Sequence, residues 1–190
     1  MQTKTNNSRS ISGQGAAIAA AVGGLAIGLM ANAGRKALVQ GVSASAGDWD
    51  DALKAEHEAT MMIFDKIFAT DEKQVMKRKT LLMQLKHALS KHAHEEENVV
   101  YPAMRANGLT EEADHLNHDH GYVKQFLFEL TELSPYAPAW ILKVEEFHDR
   151  LEQHVREEEN ELFPKLKSKL GKDGNAHVTA AMNKEGFKLA

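Results

Sequence analysis

From Asp48 to about residue 170, apolar side chains return at every third or fourth position, in four stretches cut apart by turn signals. That spacing marks amphipathic helices, each with one face to bury. Asp48 is placed to cap a first helix ending near Ala69, with Leu53, His57, Met61, Phe64 and Phe68 on its stripe. After Thr70-Asp-Glu, a second helix with Leu82, Leu85, Leu89, His92, Glu96 and Val99 runs to a glycine stop at Asn107-Gly108. Thr110 is the expected cap of a third, carrying Leu116, His120, Val123, Leu127 and Leu130. Ser134-Pro-Tyr-Ala-Pro138 precedes a fourth, with Val144, Phe147, Leu151, His154, Glu158 and Leu162. No alternating segment competes. The reading is all-α: an up-down-up-down antiparallel four-helix bundle.

Each apolar stripe contains a histidine, and two continue to a glutamate four residues later. The contexts match: His92-Ala-His-Glu-Glu96, then Pro102, and His154-Val-Arg-Glu-Glu158, then Pro164. Positions i and i+4 share a helix face, so one imidazole and one carboxylate can grip a metal from the same side. In an antiparallel hairpin, two residues are level when their midpoint falls in the turn. The midpoint of His57 and His92 lies just past Thr70-Asp-Glu, that of His92 and His120 at Ala106, and that of His120 and His154 at Ala137. Four histidines from four helices therefore fall in one layer, with Glu96 and Glu158 one turn beyond. Six such groups buried without a cation would carry a desolvation cost of several kcal/mol for each unpaired charge. The layer reads as a metal site.

The other histidines fail the level test: His87, His94, His115, His118 and His148 point away from the inward stripes, and His177 is in the tail. Two Glu-x-x-His pairs, Glu112 with His115 and Glu145 with His148, would suit a different di-iron bundle but sit at different heights. With no cysteine in the chain, thiolate sites and disulfides are excluded, which leaves His, Asp and Glu as ligands. A net charge of −4 gives no electrostatic footprint for nucleic acid.

These residues resemble the hemerythrin-like, or HHE cation-binding, proteins over about residues 48–167. The resemblance implies a non-haem di-iron centre held by His57, His92, Glu96, His120, His154 and Glu158, with carboxylate bridges and an oxo or hydroxo bridge. Oxygen-carrying members have a third-helix His-x-x-x-His pair and an Asp five residues after the fourth-helix histidine. Here Leu116 and Lys124 flank His120, Glu158 stands at plus four and Glu159 at plus five. The chain thus resembles the four-His, two-Glu members. Four imidazoles and two bridging carboxylates leave open positions on two octahedral irons. Tyr101 and Tyr122 lie off the ligand stripe, while Glu97 and Glu159 are placed to support the ligands from outside.

The expected function is binding of O2, peroxide or nitric oxide, in sensing of or protection against oxygen and oxidative stress. Loss of one histidine favours redox chemistry with peroxide, including weak peroxidase or catalase turnover, over simple carriage. Two alternatives are an iron-responsive module whose metal occupancy controls a partner contact, and a helical stress protein with an adventitious metal. The domain reading is a disordered start at 1–14, an Ala/Gly-rich helical extension at 15–47, the bundle at 48–170 and a tail at 171–190, with a short helix around His177 to Asn183. The extension is expected to serve a protein partner, self-association or a membrane surface through 15–40. A cytoplasmic location is expected, or a periplasmic or membrane-associated one if 1–33 acts as a signal or anchor.

Overall fold

A computed structural model describes residues 47–189. The expected disordered start, the Ala/Gly-rich helix and the signal or anchor readings of 1–33 lie outside the described residues. Within them the chain is helical: α1 (Trp49–Phe68), α2 (Val75–Glu95), α3 (Tyr101–Ala106), α4 (Thr110–Glu132), α5 (Pro138–Glu157) and α6 (Phe163–Leu189). A five-residue π-helical turn, Glu96–Val100, joins α2 to α3, and a second, Glu158–Leu162, joins α5 to α6. Each joined pair is one rod, so four antiparallel rods form the expected bundle. No strand occurs among the described residues. Nor is any helix among them long and apolar enough to cross a membrane.

Local chemistry explains the ends. Gly108 takes φ +74°, and Leu109 N–H reaches back to the Met104 carbonyl while Gly108 N–H reaches Arg105, a Schellman stop for α3. That stop puts buried Leu109, not Thr110, in the capping position of α4. Asp48 precedes α1, but its carboxylate makes no cap bond and pairs with Lys167 at 3.2 Å instead. At the opposite end, buried Arg78 ties two turns together. Its guanidinium donates to the Thr70 hydroxyl (2.8 Å), the Thr70 carbonyl (3.3 Å) and the Pro135 carbonyl (2.6 Å), and lies over the Trp140 ring.

The tail is more ordered than its glycines and lysines predict. Gly171, at φ +62°, ends the fourth rod, and the rest of α6 turns back along the bundle. Asn175 is the bracket. Its amide donates to the Lys167 and Gly171 carbonyls freed by the break, and its oxygen accepts from the Trp49 indole at 2.8 Å. Val178 and Met182 then bury against the core, and Glu185 reaches His94.

The core is divided. One cluster, with Trp49, Leu53, Tyr101, Met104, Phe163 and Met182, fills the end where α6 folds back. The other, with Phe64, Ile67, Leu85, Leu130, Trp140 and Phe147, fills the Arg78 end. Between them lies a buried layer of histidines and carboxylates.

Candidate metal centre

All six residues expected from the sequence are buried and meet in that layer. The Nε2 atoms of His57 and His92 face each other at 3.0 Å. Glu96 Oε2 lies 3.2 Å from the Nε2 atoms of both His92 and His120. Glu158 stands opposite, with Oε1 3.3 Å from His154 Nε2 and Oε2 3.4 Å from His57 Nε2. Every Nε2 therefore points inward.

Every Nδ1 points outward to a carboxylate. His57 pairs with Glu159 at 2.8 Å, His92 with Glu56 at 3.2 Å and His120 with Glu97 at 3.0 Å, while Asp119 Oδ2 lies 3.6 Å from His154 Nδ1. The hydrogen-bonded partners of His57, His92 and His120 fix the tautomer and ring plane that present Nε2 to a metal. The Asp119 carboxylate only faces His154 Nδ1, which makes no hydrogen bond. The pattern is twofold. Glu56 and Asp119, each immediately before a histidine, serve the histidine of the next rod. Glu97 and Glu159, each five residues after a histidine, serve the opposite hairpin. A further ion pair fastens Glu56: buried Lys91 bridges it to Glu95.

The π-turns explain the repeated prolines. A proline lacks the N–H that an α-helix would bond to the carbonyl four residues back. In both rods the residue before it, Tyr101 or Phe163, instead bonds the carbonyl five residues back, on Glu96 or Glu158. In an α-helix, five positions turn about 500°, leaving Tyr101 about 140° away from Glu96. Across the π-turn both face inward. The Tyr101 hydroxyl is 3.0 Å from His120 Nε2, 3.2 Å from Glu96 and 3.3 Å from Glu158. Phe163, its counterpart, stacks on His57. The stripe reading misses Tyr101 because it assumes unbroken α-helix; the proline six residues beyond each glutamate is the signal that finds it.

The electrostatics follow. Burial opposes charge on His92, but Glu96 and Glu56 outweigh it and raise its pKa well above the usual imidazole value. Burial likewise opposes His120, which hydrogen bonds to Glu96 and Glu97 push up to about 9. The outer acids move the other way: His120 holds Glu97, and His154 with Arg150 holds Asp119, each down to about 2. Burial and the charges on Glu96 and Glu158 keep the Tyr101 phenol protonated well above its ordinary range.

The donor set fits a metal better than it satisfies itself. Glu96 Oε1, Glu158 Oε2 and His154 Nε2 are buried without a hydrogen-bond partner. His154 Nδ1 is unpartnered as well. Buried polar atoms in folded proteins are nearly always paired, so these orphans in one layer call for a cation. Within the layer, two groups have ligand atoms within 4.8 Å of one another: His57, His92, Glu96 and Glu158, and Glu96, His120 and His154. Glu96 belongs to both. On the apolar side, the four imidazoles wall a cavity of about 10 Å³ with Met61, Leu89, Ala93, Val123 and Leu151. That is room for about one water-sized molecule.

Of the excluded histidines, His94 pairs with Glu185, His148 packs edge-on against Phe64 and Phe68, and none points into the layer. His115 meets Asp119 and Glu157 at the surface.

Comparison with known proteins agrees with this geometry. Residues 50–166 match the hemerythrin HHE cation binding domain family. The chain is 26% identical over 148 residues to a DNA nickase of Nostoc sp. (strain PCC 7120), covering 78% of this chain and 42% of the relative. It is 27% identical over 100 residues to an uncharacterized hemerythrin-like protein of Schizosaccharomyces pombe, covering 50% of this chain and 49% of that one. The chain thus spans less than half the length of these two relatives. No solved structure matches it.

Proposed function

The chain belongs to the hemerythrin HHE cation-binding family, and from that premise we propose that it is a non-haem di-iron protein that binds O2, peroxide or nitric oxide in oxygen or oxidative-stress sensing or protection. One observation supports this above the others. Two clusters of inward-facing ligand atoms share Glu96 and open on an apolar cavity of about 10 Å³. Iron held there would supply one-electron chemistry and open coordination positions for a small ligand. His57, His92, Glu96, His120, His154 and Glu158 would hold it. The chain's other residues prepare that binding: Glu56, Glu97 and Glu159 orient the imidazoles they bond, and Leu89, Val123 and Leu151 keep the ligand side dry. The Tyr101 hydroxyl offers a proton at the opposite, carboxylate side.

The DNA-nicking activity named for the Nostoc relative is not carried over. The match covers 42% of that relative, and the net charge of −4 opposes a polyanion.

The test is iron analysis of the purified full chain with an optical spectrum before and after azide and nitric oxide. Two irons per chain and a ligand-sensitive absorption band are expected, with iron lost in His92→Ala and Glu96→Ala. Unchanged iron content in both variants would sink the reading.

A further inference from the structure

The cavity beside the four imidazoles is small and is screened from the surface by partly exposed side chains, so a small ligand must pass between them. A second hollow of about 220 Å³ opens on the surface between α2 and α4, bordered by Ser90, His94, Lys124, Leu127 and Leu189. The two spaces share a wall, because Leu89, Ala93, His120 and Val123 line both. Leu89 and His120 are buried, whereas Ala93 and Val123 are partly exposed. Those two side chains meet the outer groove on one side and the inner cavity on the other. The barrier there is one side chain thick, and at Ala93 it is one methyl group.

We propose that the ligand enters and leaves between α2 and α4 through the Ala93–Val123 wall, and that the small side chain at position 93 sets which molecules pass. This rests on the reading that the centre binds a small ligand and goes further by assigning its route and size class. A cavity of about 10 Å³ behind a wall of methyl and isopropyl groups suits neutral molecules of two non-hydrogen atoms. Bulk at position 93 would hinder passage without touching a ligand to the metal. The charged rim, Lys124 paired with Glu97 at 2.9 Å, stands at the groove, and α6 brings Leu189 to the same rim.

The probe is nitric oxide, mixed rapidly with the reduced, iron-loaded full chain. Ala93→Phe and Val123→Phe should slow both association and dissociation by about tenfold. Ala93→Val, a milder change, should fall between them and the parent. Val155→Phe, on the α1–α5 side of the cavity, should leave both rates unchanged. Xenon in crystals of the iron-free protein provides a readout independent of the metal. Xenon should bind at the Ala93–Val123 wall in the parent and be lost there in Ala93→Phe. Unchanged rates in all three wall variants, slowing by Val155→Phe alone, or xenon on the Met61–Val155 side would each overturn the route. If protein carrying two irons binds no nitric oxide, the small-ligand reading fails, and the xenon positions alone decide the route.

Discussion

At the scale of single residues, the metal-free centre is a lattice of protons. His57, His92 and His120 are held above the ordinary imidazole value of 6.5, while Glu56, Glu97 and Asp119 are held down to about 2. The signs are opposite. The raised histidines stabilise the fold fully below pH 6.5, and that stability is lost as pH climbs through their folded values, about 9 for His120. The depressed acids stabilise it above about pH 4.5 and lose that contribution as pH falls toward 2. Glu95, raised to about 7 by burial and by Glu56, contributes stability that is lost earlier, as pH rises from about 4.5 through 7. The melting temperature of iron-free protein should therefore decline from about pH 6 to pH 9, as calorimetry would record. Iron-loaded protein should show a flatter profile, because a bound cation replaces the histidine protons. A flat profile in iron-free protein would contradict this picture. The inward residues were legible in the sequence because all six lie on stripes of one period. Glu56 and Asp119 were not, since an acid beside a histidine is common on any exposed face. Tyr101 stayed hidden behind a change of helical pitch.

Among the elements, the site depends on rods held level at both ends. Arg78 secures the end away from α6 by spanning the α1–α2 and α4–α5 turns. Arg78→Met keeps much of the volume over Trp140 but leaves the Thr70 and Pro135 carbonyls without that donor. A loss of about 1–3 kcal/mol is expected in denaturant unfolding. Iron content should stay unchanged, because the Phe64–Trp140 cluster separates this clamp from the histidine layer. A loss of iron in folded Arg78→Met protein would show that the clamp sets the ligand level. Rod number, direction and turns were readable from periodicity and glycine or proline punctuation. Asp48 stands at the cap position of α1 as expected. Its lack of a cap bond was not readable, nor was the shift of the α4 cap from Thr110 to Leu109, because a salt bridge to Lys167 and the burial of Leu109 override local preference. The returning part of α6 was legible only as the short helix around His177 to Asn183; its full extent was hidden by Gly171 and Gly174, although Asn175, Val178 and Met182 recur at helical spacing.

Across the whole molecule, the half before Gly108 and the half after it exchange their outer carboxylates. Glu97 supports His120, and Glu159 supports His57. Neither half completes the layer alone, yet nothing in the arrangement requires both halves to come from one chain. What directs them to the same chain is the reversal at Gly108. A Cβ added there would meet nothing within 4 Å, so only its positive φ resists another residue. Gly108→Val should cost about 1–2 kcal/mol in the reversed conformation and favour a straight passage from α3 into α4. Two chains would then trade halves, doubling the mass in light scattering. Their centres would be chemically identical to those of the parent, with the same iron content and spectrum. On this prediction, a single glycine that supplies no ligand sets whether the centre is intramolecular or shared.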